Sequence, residues 1–163
     1  DGVVLFSAAH PTRAGNQSNL LTAADLSEAS LEDGCIQIMN AENSRGLQIS
    51  LMAQSLHVST SDWFEANRIL KSVLQNDTAN NAVNALRATN ALPGGIKVNH
   101  YFTDTDAWFL RTNAPRGMIQ YNRKKIAFTK DNDFNTGNAK AKAVERYSQG
   151  WSDWRGAYGN AGV

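Results

Sequence analysis

The chain closes on an aromatic run where chain ends are ordinarily polar and frayed: Tyr147-Ser148-Gln149-Gly150-Trp151-Ser152-Asp153-Trp154-Arg155-Gly156-Ala157-Tyr158-Gly159. Each of these large rings removes a wide area from water when buried. The tail must therefore fold back onto the body or onto another subunit, and any fold for this chain has to keep a place for it. Trp151, Trp154 and Tyr158 are the expected anchors, with Gly150, Gly156 and Gly159 allowing the turns that bring the rings together.

Size and charge bound what that body can be. A chain of 163 residues suits one domain with its own core. Sixteen Lys and Arg against fifteen Asp and Glu leave a net charge of +1, which excludes a global electrostatic footprint for nucleic acid or an anionic membrane. Cys35 is the single cysteine, so an internal disulfide framework and a multi-cysteine zinc site are excluded. Placed on a helix, it reads as a small buried hydrophobe. No apolar run approaches the ~18 residues of a membrane span, and neither a membrane partner nor a cofactor is expected. The chain opens on Asp1 rather than Met, which reads as a processed form or a piece of a longer protein.

Apolar periodicity places two helices early. Asp25 followed by Glu28 reads as an Asp-type capping box, and Leu31, Cys35 and Met39, with Ile36 and Ile38, keep a helical period to about Asn40 in spite of Gly34. Ser61 or Asp62 starts the second helix, whose stripe Trp63, Ala66, Leu70, Val73 and Leu74 marks one buried face. Residues 3–6 read as a strand ahead of a polar loop over 7–21, and 47–51 and 56–59 as short extended pieces. Residues 76–90, rich in Asn, Ala and Thr, read as a long loop with room for one helical turn. After Pro93-Gly94-Gly95 the period changes to two, so that Ile96, Val98, His100 and Phe102 share one strand face; 107–111 is a further strand. Residues 118–128 read as two antiparallel strands around a tight basic turn at 122–124, and 139–147 as the last strand. Helices early and strands late, without β–α–β alternation, give an α+β domain with two helices on a mixed or antiparallel sheet.

Few residue groups suggest chemistry. In Asp131-Asn132-Asp133-Phe134-Asn135-Thr136-Gly137 the first three ligand positions of a calcium loop are present, but Thr136 stands where the turn glycine belongs and Lys142 where the bidentate carboxylate belongs. A loop of Asx-turns is the plainer reading. Asp104 and Asp106 could join Asp131 and Asp133 only through the fold. His10, His57 and His100 lie in no ligand spacing, His100 falls on an inward strand face, and neither a nucleophile elbow nor a phosphate loop is present. The cluster Arg123, Lys124, Lys125 with Lys130 reads first as a solvated hairpin tip, and second as a contact for acidic neighbours or nucleic acid beside Tyr121 and Phe128.

Taken in order, a series of blocks resembles the major head proteins of tailed phages and prophages of the Mu-like type. They are Leu5-Phe6-Ser7-Ala8-Ala9-His10-Pro11 with Ser18-Asn19, Leu26-Ser27-Glu28-Ala29-Ser30-Leu31-Glu32, Ala66-Asn67-Arg68-Ile69-Leu70-Lys71-Ser72, and Thr78-Ala79-Asn80-Asn81. Thr103-Asp104-Thr105-Asp106-Ala107-Trp108-Phe109-Leu110, Asp131-Asn132-Asp133-Phe134 and the closing 145–156 follow. The resemblance implies the Hong Kong 97-type capsid fold in part: residues 1–24 as a peripheral-domain strand and loop, 25–130 as mainly the axial domain, and 131–163 as a returning peripheral strand with the aromatic tail. The arm, extended loop and long helix of that fold would precede Asp1, so the expectation is a C-terminal portion. It further implies a structural protein without catalysis, found in the virion capsid and in the host cytoplasm during assembly. Its partners would be copies of itself in hexamers and pentamers, with scaffold or portal proteins, and packaged DNA at most non-specifically. Asn80 and Asn81 in the long loop, and Arg123, Lys124 and Lys125, become candidate intersubunit contacts. Two other classes stay open: a small nucleic-acid-binding module using the basic hairpin, and a calcium-dependent binding domain or hydrolase using Asp104, Asp106, Asp131 and Asp133.

Overall fold

The computed structural model describes residues 2–75 and 82–162. In chain order, β1 (His10–Thr12) and β2 (Gly15–Gln17) precede α1 (Glu28–Met39), β3 (Ala53–Val58), α2 (Trp63–Lys71) and α3 (Ala85–Ala88). Then follow β4 (Ile96–Val98), β5 (Trp108–Thr112), β6 (Met118–Asn132), β7 (Ala139–Trp151), a 3-10 turn (Trp154–Gly156) and β8 (Ala157–Asn160).

Four strands form the body sheet in the order β4-β3-β5-β8, mixed in direction. β3 and β4 are parallel, with α2 and α3 between them, so the chain contains one β–α–β crossover where none was expected. Parallel neighbours need a long connection, and helices fill it. On one sheet face Leu56, Val58, Trp108, Leu110 and Tyr158 meet Leu31, Cys35 and Ile38 of α1, and this is the core. A glycine inside a helix costs about 1 kcal/mol against alanine. Gly34 is placed where a Cβ would stand 3.0 Å from Leu110 Cδ1 and 3.2 Å from Leu21 Cδ1, so its absence lets α1 lie close on the sheet.

Several local expectations need correcting. The cap of α1 is Ser27: its hydroxyl accepts from the Ser30 N–H and the Ser30 hydroxyl accepts from the Ser27 N–H, a reciprocal box of two serines in place of Asp25 and Glu28. In α2 the buried residues are Ala66 and Ile69, while Trp63 is exposed; the helix ends at Lys71, so Val73 and Leu74 lie beyond it and stay exposed. Residues 3–6 and 47–51 form no strand, and β1 pairs with β2 inside the stretch read as loop. β4 stops at Val98, which leaves His100 exposed rather than in the core.

The largest departure lies in residues 118–151. β6 runs unbroken through 122–124, where a tight turn was expected, and pairs antiparallel with β7 around a turn at 133–138. A two-residue hairpin turn favours glycine or a similar residue at positive φ. Asn122-Arg123-Lys124 has no glycine, whereas Gly137 adopts φ +68° at the actual turn. The irregularity survives only as register shifts between Asn122 and Lys124 and between Lys124 and Ala127.

Candidate intersubunit surface

With strands of fifteen and thirteen residues, β6 and β7 form a two-stranded ribbon about 50 Å long. Every side chain in the two strands is exposed except Ile119 and Val144, which are half-buried, and neither strand adds a residue to the core. Met118, Tyr121, Ile126, Phe128 and Tyr147 stand in water along it, with Phe134 fully exposed at the tip. A lone two-stranded ribbon is marginal in water, and apolar side chains shown along it mark a surface that gains by being covered.

The ribbon also gathers charge. Between 118 and 151 seven Lys and Arg meet three Asp and Glu, for a net +4, and the remaining 129 residues carry nine against twelve, for a net −3. Arg123, Lys124 and Lys125 sit midway along β6, at its register shift, and not at a hairpin tip. Toward the tip, Lys142 faces Thr129 and Lys140 faces Asp131, while Ala141 faces Lys130 and Ala143 faces Phe128, so the two ribbon faces differ in composition.

The tip is the calcium-like segment, and its carboxylates are engaged. Asp133 accepts from Lys140 Nζ at 2.8 Å and from the Asn135 N–H at 3.2 Å, while Asp131 accepts from the neighbouring Asn132 N–H. The Lys140 bond, followed by the Asn135 N–H and the Thr136 hydroxyl, holds the Asp133 carboxyl below its usual range. Asp104 and Asp106 lie between β4 and β5 in the body. The structure does not bring the four together, and among the described residues no three His, Cys, Asp or Glu side chains converge on a metal position.

At its base the ribbon joins the body through Gly117 and Gly156, packed so closely that a Cβ on Gly156 would stand 2.6 Å from Gly117 Cα. Beyond that crossing the tail is buried. Trp154 stacks on His10 with ring centres 4.4 Å apart, and the Arg155 guanidinium lies 4.1 Å from the indole centre. Arg155 donates to Glu42 O at 2.7 Å and to Gln17 Oε1 at 2.5 Å, and pairs with Asp153 at 3.2 Å. Tyr158 lies in the core, where burial above all pushes its phenol up to about 12. Trp151 instead ends the ribbon at 47 % exposure.

Two residues to which the sequence reading gave no role, Asn19 and Asn160, hold the tail to the N-terminal segment. The Asn19 amide donates to the carbonyls of Leu5, Trp154 and Ala157 and accepts from the Ser7 N–H, while Asn160 donates to Thr22 O and accepts from the Ala24 and Gly162 N–H groups. Only the pairing of two distant segments reveals them. Both side chains are fully buried.

The open face of the body sheet carries a second polar group. Ser55 Oγ and His57 Nε2 are 3.0 Å apart, with Arg111 and Lys97 at the neighbouring register positions. Burial first, then these two cations, lowers the His57 pKa and keeps the ring neutral. No carboxylate among the described residues orients that ring, so the pair lacks the third member of a nucleophile relay. Cys35 is buried, and burial followed by Glu32 raises its thiol pKa, which disfavours the reactive thiolate. Asn80 and Asn81 lie outside the described residues.

A family model described as phage capsid protein matches residues 2–160. No curated protein matches the chain. Among solved structures, a virus-like particle from Pyrococcus furiosus is similar at TM-score 0.49 and 11 % identity over 86 % of this chain and 56 % of that one. A phage-related protein from Bordetella bronchiseptica RB50 is similar at TM-score 0.47 and 14 % identity over 83 % of this chain and 50 % of that one. The chain thus spans about half the length of these structures.

Proposed function

The chain belongs to the phage capsid protein family, and from that premise we propose that it acts as a major head subunit whose work is done by contacts with copies of itself. The observation that carries this reading is the ribbon over 118–151: a long element with exposed apolar and basic side chains and no share in the core formed by the described residues. An element of that kind gains stability where a neighbour covers it. In this proposal Arg123, Lys124 and Lys125 are intersubunit contacts, and Asn80 and Asn81 contact neighbours near the capsomer centre. The subunits form hexamers and pentamers of a Hong Kong 97-type shell of the Mu-like kind, around packaged DNA. The division into peripheral parts at 1–24 and 131–163 and an axial part at 25–130 is proposed for the assembled shell. The chain would there be the C-terminal portion of the head subunit, working without catalysis.

Electron microscopy of the purified protein tests this. Rings or shells of defined diameter are expected, and a field of single subunits at every concentration would overturn it.

A further inference from the structure

We propose that residues 19–24 form a latch over the outer edge of the body sheet, that Asn19 holds it shut, and that an open latch exposes β8 to pairing with β8 of a second copy. The latch is built from contacts within one chain, so it holds whether or not head subunits assemble as proposed above.

An outer strand leaves a row of backbone groups without ladder partners, and folds cover such edges. β8 is the outer strand on one side of the body sheet. Its Gly159 N–H donates to Asn19 O at 3.0 Å, and its Gly159 carbonyl accepts from the Leu21 N–H at 2.9 Å. Its Ala157 carbonyl accepts from the Asn19 side-chain amide at 2.9 Å. The segment meets the sheet through a single parallel bridge, Leu20 to Gly159, and forms no strand of its own. Side chains hold the rest. Gln37 of α1 donates to Leu20 O at 3.1 Å, Asn160 of β8 to Thr22 O at 2.7 Å, and Trp108 of β5 to Ala24 O at 3.2 Å.

Asn19 is fully buried and also reaches the other way, to Leu5 O, the Ser7 N–H and His10 Nε2. Without its side chain, buried groups on both sides lose their partner, and each unmet group costs more than an ordinary bond contributes. The bonds at Leu21 and Gly159 share this one support. They therefore open together, at a lower free energy than the core. An opened β8 presents the Gly159 N–H and C=O on one edge. A second β8 running antiparallel offers the same two groups in reverse, so the edge is self-complementary about Gly159.

Amide hydrogen exchange on the full chain tests it. In the parent, the Leu21 and Gly159 amides are expected to exchange at one common rate, faster than those of Leu56 and Leu110 in the core strands. Unrelated rates, or rates no faster than the core, would overturn the latch. Asn19→Ala is expected to speed exchange at Leu21 and Gly159 by about tenfold or more, with Leu56 and Leu110 changed by less than about twofold. An equal rise at all four would overturn the specific role of Asn19. Asn160→Ala, which removes only the hold on Thr22 and Ala24 and the Gly162 bond, gives the same readout should Asn19→Ala not fold; unchanged exchange at Leu21 and Gly159 in it would overturn the clasp. Raising the concentration of Asn19→Ala is expected to restore protection at Gly159 but not at Leu21, because a second β8 takes the place of the latch. Protection regained at both, or at neither, would overturn the pairing of β8 edges.

Discussion

Removing the indole of Trp154 takes a buried ring away from His10 and from the Arg155 guanidinium at once. Trp154→Ala should cost about 3–5 kcal/mol in denaturant unfolding. Trp151→Ala, in a ring 47 % exposed at the ribbon's end, should change stability by about 1 kcal/mol or less. Equal losses for the two would contradict the different environments described for them. Tyr158 adds a pH dependence. Its phenol keeps its proton in the folded state up to about 12, whereas an unfolded tyrosine releases it near about 10. Above pH 10 the unfolded chain therefore binds fewer protons, and stability falls as pH rises from 10 toward 12, being complete below 10. Tyrosinate absorbance should show a late component that Tyr158→Phe removes. The sequence shows a tail rich in large rings, but it does not say which of them face the core and which, like Trp151 and Tyr147, stay exposed. That depends on the crossing of Gly117 and Gly156, a contact between residues 39 apart in the chain.

The two helices were legible because apolar residues recur in them at a helical spacing, although their caps and the far end of the second were misplaced. The ribbon was not, because an Asn followed by three basic residues resembles a turn, and the absence of glycine there counts against one only when a better turn nearby is recognised. That turn came disguised as a calcium loop, since Asx-turns and ligand loops draw on the same residues. The β–α–β crossover was hidden in the same way: β4 is three residues long, too short to show its direction. At this scale two substitutions are informative. Replacing residues 121–148 by Asn-Gly should leave the melting temperature nearly unchanged, because the ribbon adds nothing to the core, and should abolish self-association. A large fall in melting temperature would show that the ribbon supports the body. Gly156→Ala should destabilise by about 1–3 kcal/mol, because its Cβ would meet backbone that cannot rotate away; an unchanged melting temperature would contradict that close approach.

Across the whole molecule, a net charge of +1 conceals a basic arm and an acidic body. The mean was legible in composition, but the separation became visible only once the hairpin's limits were known, since the same residues read as two short strands divide the charge differently. The ordered series of motifs did identify the phage capsid family, because each block keeps its place along the chain even where its local structure was misread. In the proposed assembly the segregated charge acts between copies of the chain. Sedimentation of the full chain over a range of concentrations, in low and then high salt, addresses it most directly. Assemblies of several chains at low salt that dissociate as screening increases are the expected result; a single species with the mass of one chain at every concentration and salt would contradict it.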